Sequence, residues 1–123
     1  MTYREKQSHF THLMAQFVIW LFEQGYEATD GDAYDTDGDG GHMKGSTHQD
    51  RMANDKNIFY QGKYLDGKDI KPGGKGEWQA DHWAIIGSKW KSMSPICAWG
   101  GDFGATTGRT DYNHFSFEHA GKR

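Results

Sequence analysis

Cysteine is almost absent from this chain, and the one present, Cys97, has no partner for an internal disulfide. A disulfide framework is therefore excluded as the source of stability. Cys97 lies in the apolar run Pro95-Ile96-Cys97-Ala98-Trp99 and reads as a buried, inert thiol. Long apolar stretches are missing too. The longest, Phe17 to Phe22, falls well short of the ~20 residues that cross a bilayer, so a membrane-embedded chain is not expected. The opening residues, Met1-Thr2-Tyr3-Arg4-Glu5-Lys6-Gln7, lack the charged start and apolar middle of a signal peptide. Synthesis in the cytoplasm is expected, and action elsewhere would need release by another agent. An excess of positive charge is lacking as well. Fourteen basic and 17 acidic side chains give a net charge of -3, and no basic stripe runs through the sequence. The electrostatic footprint of a nucleic-acid binder is thus missing.

Apolar residues make up only 35% of the 123 positions, whereas aromatics reach 15% and glycines number 17. A chain of this length fits one domain, 1–123, with a modest core. Phe, Trp and Tyr must supply much of that core, since each buries a large area. A bound metal would add further stability. A monomer is the expected state.

The clearest periodicity lies between Gln7 and Gln24. Phe10, Leu13, Met14, Phe17, Val18, Leu21 and Phe22 form one broad apolar stripe at helical spacing. Ser8 is the expected N-cap and Gly25 the expected C-cap. Tyr26 to Tyr34 reads as a short strand running into a loop, and Asp35 to Gly45, rich in Gly and Asp, as surface loop. Ile58 to Leu65 reads as a strand with a turn near Gly62, followed by a Lys/Gly/Asp loop from Asp66 to Gly76. Trp78 to Met93 predicts a second helix, with Trp83, Ile86 and Trp90 on one face. Trp99 to Arg109 is glycine-rich. Tyr112 to His119 alternates, Phe115 and Phe117 on one side and His114 and Ser116 on the other, so a strand is expected.

Seven histidines in so short a chain invite a search for a metal site. Two clusters stand out: Ser46-Thr47-His48-Gln49-Asp50-Arg51-Met52-Ala53-Asn54-Asp55, and Asp111-Tyr112-Asn113-His114-Phe115. Catalytic zinc takes three protein ligands, imidazole nitrogens and carboxylate oxygens, and keeps a position for water. His48, Asp55 and His114 would supply such a set. Asp111, three residues before His114, is close enough to take the proton of that water. Taken alone, these residues also fit an ordinary polar surface.

The order of the motifs carries more. Ser46-x-His48, then Asp55, then Asp111-x-x-His114-Phe115 resembles the D-Ala-D-Ala metallopeptidase family, and within it the phage L-alanyl-D-glutamate endopeptidases that act as endolysins. Asn57-Ile58-Phe59-x-x-Gly62-Lys63-Tyr64-Leu65, Gly87-Ser88-Lys89-Trp90-Lys91-Ser92-Met93, Trp99-Gly100-Gly101-Asp102-Phe103 and Asn113-His114-Phe115-Ser116 are similar to the same group. The resemblance spans roughly Tyr26 to His119. It implies a small α+β fold whose central antiparallel sheet carries a zinc cleft, flanked by helices. It implies His48, Asp55 and His114 as zinc ligands and Asp111 as the catalytic carboxylate. The expected activity is hydrolysis of an amide bond in the peptidoglycan stem peptide, L-alanyl-D-glutamate first, with D-Ala-D-Ala carboxypeptidase activity as the alternative. The expected place of action is the cell wall, after release from the bacterial host. Trp99, Asp102 and Phe103 are candidate substrate contacts, although core packing is an equal reading for Trp99 and Phe103.

Three positions depart from the family pattern. Relatives carry an Arg after the first strand, where Ala33-Tyr34-Asp35-Thr36 places Asp35, and a carboxylate cannot stabilise a developing oxyanion. The small residue, often Gly, expected four positions before the Asp ligand is Arg51. It either restores the lost positive charge or lies on the surface. Lys56 follows Asp55 where relatives place an apolar residue. These departures keep other readings open. One is a non-catalytic zinc module for wall peptides. Another is a wall- or carbohydrate-binding protein without metal. A third is a calcium module: Asp35-Thr36-Asp37-Gly38-Asp39-Gly40 opens like an EF-hand loop, but its twelfth position is Ser46, where a bidentate Glu is required. A looser Ca²⁺ site on Asp35, Asp37 and Asp39, or a solvated turn, is what remains.

Overall fold

The computed structural model describes residues 1–31, 50–104 and 110–123. The apolar stripe forms helix α1, Tyr3–Glu23, with Phe10, Leu13, Met14, Phe17 and Leu21 buried. The helix begins a full turn before the predicted start. Thr2, not Ser8, caps it: the Thr2 side chain accepts from the Glu5 amide at 3.1 Å, and the Glu5 carboxylate accepts from the Thr2 amide at 3.0 Å. This reciprocal pair satisfies two amides that would otherwise lack intrahelical partners. Gly25, in the left-handed region at φ +90°, follows the last turn. Phe22, placed in the stripe by spacing, ends up 52% exposed, although its neighbour Leu21 is fully buried.

Five antiparallel strands follow the order β1-β2-β5-β4, with the short β3 paired to β2. They are β1 Tyr26–Asp30, β2 Ala53–Tyr60, β3 Lys63–Tyr64, β4 Cys97–Trp99 and β5 His114–Phe117. The expected α+β class with an antiparallel sheet and flanking helices is what the chain adopts. The turn expected near Gly62 joins β2 to β3 through Gln61 and Gly62, at φ 51° and 80°. Two left-handed residues in a two-residue loop match the twist of the strands they connect. β2 is longer than the predicted strand and starts at Ala53, so its first half is free to pair with β5: Ala53, Asn54 and Asp55 lie opposite Ser116, Phe115 and His114.

The second helix starts as a 3-10 turn, Glu77–Gln79, and continues as α2, Ala80–Ser92. Trp83, Ile86 and Trp90 are buried, as their spacing predicts. α1 and α2 cover the sheet with aromatic contacts: Phe17 lies 4.9 Å from Phe115 and 5.3 Å from Trp90, ring to ring. The Trp90 indole donates to the carbonyls of Ala98 and Ser116 at 3.0 and 3.2 Å, so its buried N–H ties β4 to β5. All four residues of β5 are buried. The polar side of its alternating pattern is therefore enclosed, not solvated. Cys97 is half-buried, and burial pushes its thiol up to about 12. No helix among the described residues is long and apolar enough to cross a membrane.

Candidate metal centre

The β2–β5 register does the first work at the site. Asp55 and His114, distant in sequence, become directly opposed residues on neighbouring antiparallel strands. Such residues project on the same face of the sheet with closely spaced Cβ atoms. The His114 Nδ1 lies 3.4 Å from the Asp55 Oδ1. That is long for an N–H···O hydrogen bond, which prefers roughly 2.7–3.2 Å. It matches two donors at a tetrahedral angle on one ion, which bonds of about 2.0–2.2 Å place roughly 3.3–3.6 Å apart.

Asp111 joins from the turn that leads into β5. The His114 amide donates to the Asp111 carbonyl at 3.1 Å, and the Asp111 amide donates to the Gly100 carbonyl at 2.9 Å. Asp55, Asp111 and His114 each offer a ligand atom, all within 4.8 Å of one another, a group that could hold a metal ion. One imidazole and two carboxylates are donors that a divalent cation of the zinc type accepts. Exposure grades across the group: His114 is 4% exposed, Asp55 is half-buried and Asp111 is open to solvent.

Glycines make the close approach possible. A Cβ at Gly100 would meet the Asp111 carbonyl oxygen at 1.9 Å and the His114 Cβ at 2.9 Å. A Cβ at Gly31 would lie 3.0 Å from the Asp55 Cβ, where the Gly31 amide donates to the Asp55 carbonyl at 2.8 Å. A small polar cavity of about 120 Å³ opens beside Asp111, with Tyr64, Asp66, Thr110 and Asn113 in its wall. The Gln79 side chain donates to Asp66 at 2.9 Å, and that hydrogen bond holds the Asp66 carboxyl below the usual carboxylate range.

The remaining sequence candidates fare differently. His48 lies outside the described residues, and so do Asp35, Asp37 and Asp39 of the calcium reading. Arg51 stands exposed in the turn before β2, at φ 58°, a left-handed conformation in which glycine is the easy choice. Lys56, the third departure, is buried on β2 and forms an ion pair with Asp30 across the register of β1 and β2. A long aliphatic stem with its charge met at the strand edge fills the place of an apolar residue.

Trp99 belongs to the core. It is 8% exposed. Its indole donates to the Tyr112 carbonyl at 2.8 Å, and Cβ atoms built on Gly87 and Gly101 would come within 2.3 and 2.2 Å of its ring. Of its two readings, packing describes its surroundings, and it steadies the turn that bears Asp111. Asp102 is half-exposed and pairs with Lys91 at 2.9 Å. Phe103 does adjoin the metal group, its ring 5.3 Å from that of His114.

Arg123 was not foreseen from sequence. Its guanidinium lies over the Phe103 ring, 4.3 Å from the centroid. No spacing rule links position 123 to position 103; only the folded tail does. No family model, curated protein or solved structure matches the chain.

Proposed function

We propose that the chain is a zinc-dependent peptidase that hydrolyses an amide bond of the peptidoglycan stem peptide, with L-alanyl-D-glutamate as the first candidate bond. The observation that carries this reading is the Asp55–His114 pair, spaced as two donors to one tetrahedral ion, with Asp111 within 4.8 Å and open to solvent. His48 is the third ligand in this reading, and Asp111 the base. The left-handed backbone at Arg51 adds support, because the resembling family carries a small residue there.

When bound, zinc would supply Lewis acidity and bring the pKa of a water toward neutrality. The protein's own part is positional. Asp55 and His114 are fixed by the strand register, and their orientation needs no loop ordering. A carboxylate oxygen of Asp111 takes the proton from the attacking water and returns it to the departing amine. Its exposure supports this role, since a substrate could reach it from solvent.

Two measurements test the reading together. Purified protein should carry one zinc per chain by elemental analysis, and His114→Ala should carry almost none. Muropeptide digestion followed by mass spectrometry should show release of stem-peptide fragments by wild type and none by His114→Ala. A protein without zinc, whose melting temperature does not move on adding it, would end the metal assignment. Protein that holds zinc, releases no fragment and still sediments with peptidoglycan would be the non-catalytic wall module instead.

A further inference from the structure

A buried amide stands where the second helix begins. Gln79, the last residue of the 3-10 turn, is 2% exposed. Its Oε1 accepts twice, from the Gly67 amide at 2.9 Å and from the Trp83 indole at 3.0 Å. Its Nε2 donates to the Asp66 carboxylate at 2.9 Å. An amide suits all three bonds at once. A carboxylate here would face that of Asp66, and an apolar side chain would leave two donors unmet. The two groups that donate to Oε1 both end on one ring. Trp83 stacks on Tyr112 with centroids 5.5 Å apart and planes at 30°. A Cβ built on Gly67 would lie 3.3 Å from the Tyr112 ring, so the loop after β3 passes against it as well. Gly67 holds that close approach at φ 74°, the left-handed region that favours glycine. The Tyr112 carbonyl is held separately, by the Trp99 indole at 2.8 Å. Tyr112 directly follows Asp111, and Asp66, Gly67, Trp83 and Tyr112 line the small cavity that opens beside it.

We propose that Gln79 is a positioning residue of this site: through Trp83 and Gly67 it clamps Tyr112 and so fixes the turn that presents Asp111. The role of Asp111 as base rests on the peptidase reading; the clamp itself does not. Asp55 and His114 owe their places to the β2–β5 register, so Gln79 acts on the base and not on the metal. Such indirect support matters because a misplacement of about 1 Å at a reacting group costs up to ~10²-fold in rate.

The test is Gln79→Met, which keeps the length of the side chain and removes both its acceptor and its donor. Two backbone amides report on the turn: that of Asp111, which donates to the Gly100 carbonyl, and that of His114, which donates to the Asp111 carbonyl. Their hydrogen exchange, read by NMR on the zinc-free protein, should be roughly tenfold faster than any general loss of stability seen in α1 accounts for. In turnover, kcat should fall roughly tenfold to a hundredfold, with little change in KM and zinc content as in wild type. If Gln79→Met does not fold, Trp83→Phe, which keeps a ring against Tyr112 and removes the indole donor, should show the same local loosening. Exchange at Asp111 and His114 that rises no more than in α1 overturns the proposal. So does a loosened turn with kcat unchanged, and so does loss of zinc along with activity. The peptidase reading fails separately. A wild type that cleaves no stem peptide ends that reading alone; faster exchange at the two amides then still upholds the clamp, and unchanged exchange rejects it.

Discussion

At the residue scale the question is what Asp111 does. The group of donors within 4.8 Å includes it, so it has the geometry of a ligand, while its exposure suits a base. Asp111→Asn separates the two roles, since the amide is nearly isosteric but accepts no proton. If Asp111 is the base, wall hydrolysis should fall by ~10²–10⁴-fold, the usual worth of general acid–base help, with zinc content near wild type. If zinc is lost along with activity, Asp111 is a ligand, and the assignment of the base moves elsewhere. Full activity in Asp111→Asn would exclude it from both. Asp55, Asp111 and His114 were legible in the sequence because they stand in short ordered motifs of the right residue types. Arg123 was not, because its place on Phe103 follows a left-handed turn at Ala120 and Gly121, closed by hydrogen bonds between His119 and Lys122, which leaves no local pattern. Trp99 was ambiguous for a related reason: an aromatic beside a glycine run can line a cleft or fill one, and its neighbours Gly87 and Gly101 decide for filling.

At the element scale, α1 and α2 were legible because an apolar stripe at helical spacing has few other solutions. The start of α1 was not, since Ser8 and Thr2 are both competent caps, and only Thr2 has Glu5 three residues on to complete the box. The N-terminal half of β2 was missed because Ala53-Asn54-Asp55-Lys56 carries polar side chains at positions that pair with β5 or with Asp30. The packing of α2 on β4 yields a test in which two effects of opposite sign compete. Replacing a helical glycine by alanine ordinarily gains up to about 1 kcal/mol. At Gly87 the added Cβ would sit 2.3 Å from the Trp99 ring. Overpacking a core costs about 1–3 kcal/mol, and this indole cannot easily shift, with Gly101 against it and its N–H held by Tyr112. Gly87→Ala should therefore lose about 1–2 kcal/mol and melt several degrees lower. A higher melting temperature by calorimetry would mean that Trp99 has room to move, and that the turn bearing Asp111 is less firmly held than its contacts imply.

At the scale of the whole molecule, one polar cluster joins three parts of the chain that are remote in sequence. Asp50, just before β2, accepts from Tyr3 at 3.0 Å and pairs with Lys122 at 2.7 Å, while the Gln7 side chain donates to its carbonyl at 2.9 Å. The start of α1, the entry to β2 and the tail are tied at this point, and no single stretch of sequence announces it. Lys122 above all, with Tyr3, holds the Asp50 carboxyl below the usual carboxylate range. The sign of the pH effect follows. A carboxyl whose folded pKa is depressed stabilises the fold above its unfolded pKa of about 3.9, and that contribution disappears as pH falls through the folded value. Asp50→Asn should thus cost up to about 1 kcal/mol at neutral pH, as a partly exposed ion pair allows. The gap between wild type and variant should close as pH drops below about 4. Denaturant midpoints of both proteins at pH 7, 5 and 3 check this, and taking the difference between them cancels what a metal contributes to both. A gap that persists undiminished at pH 3 would assign the effect to packing and not to charge. A gap absent at pH 7 would mean that the tail is held without Asp50, by Lys6, which donates to the Glu118 carbonyl at 2.7 Å and lies 3.1 Å from the His119 Nδ1. In that case Arg123 should keep its place on Phe103 in the variant.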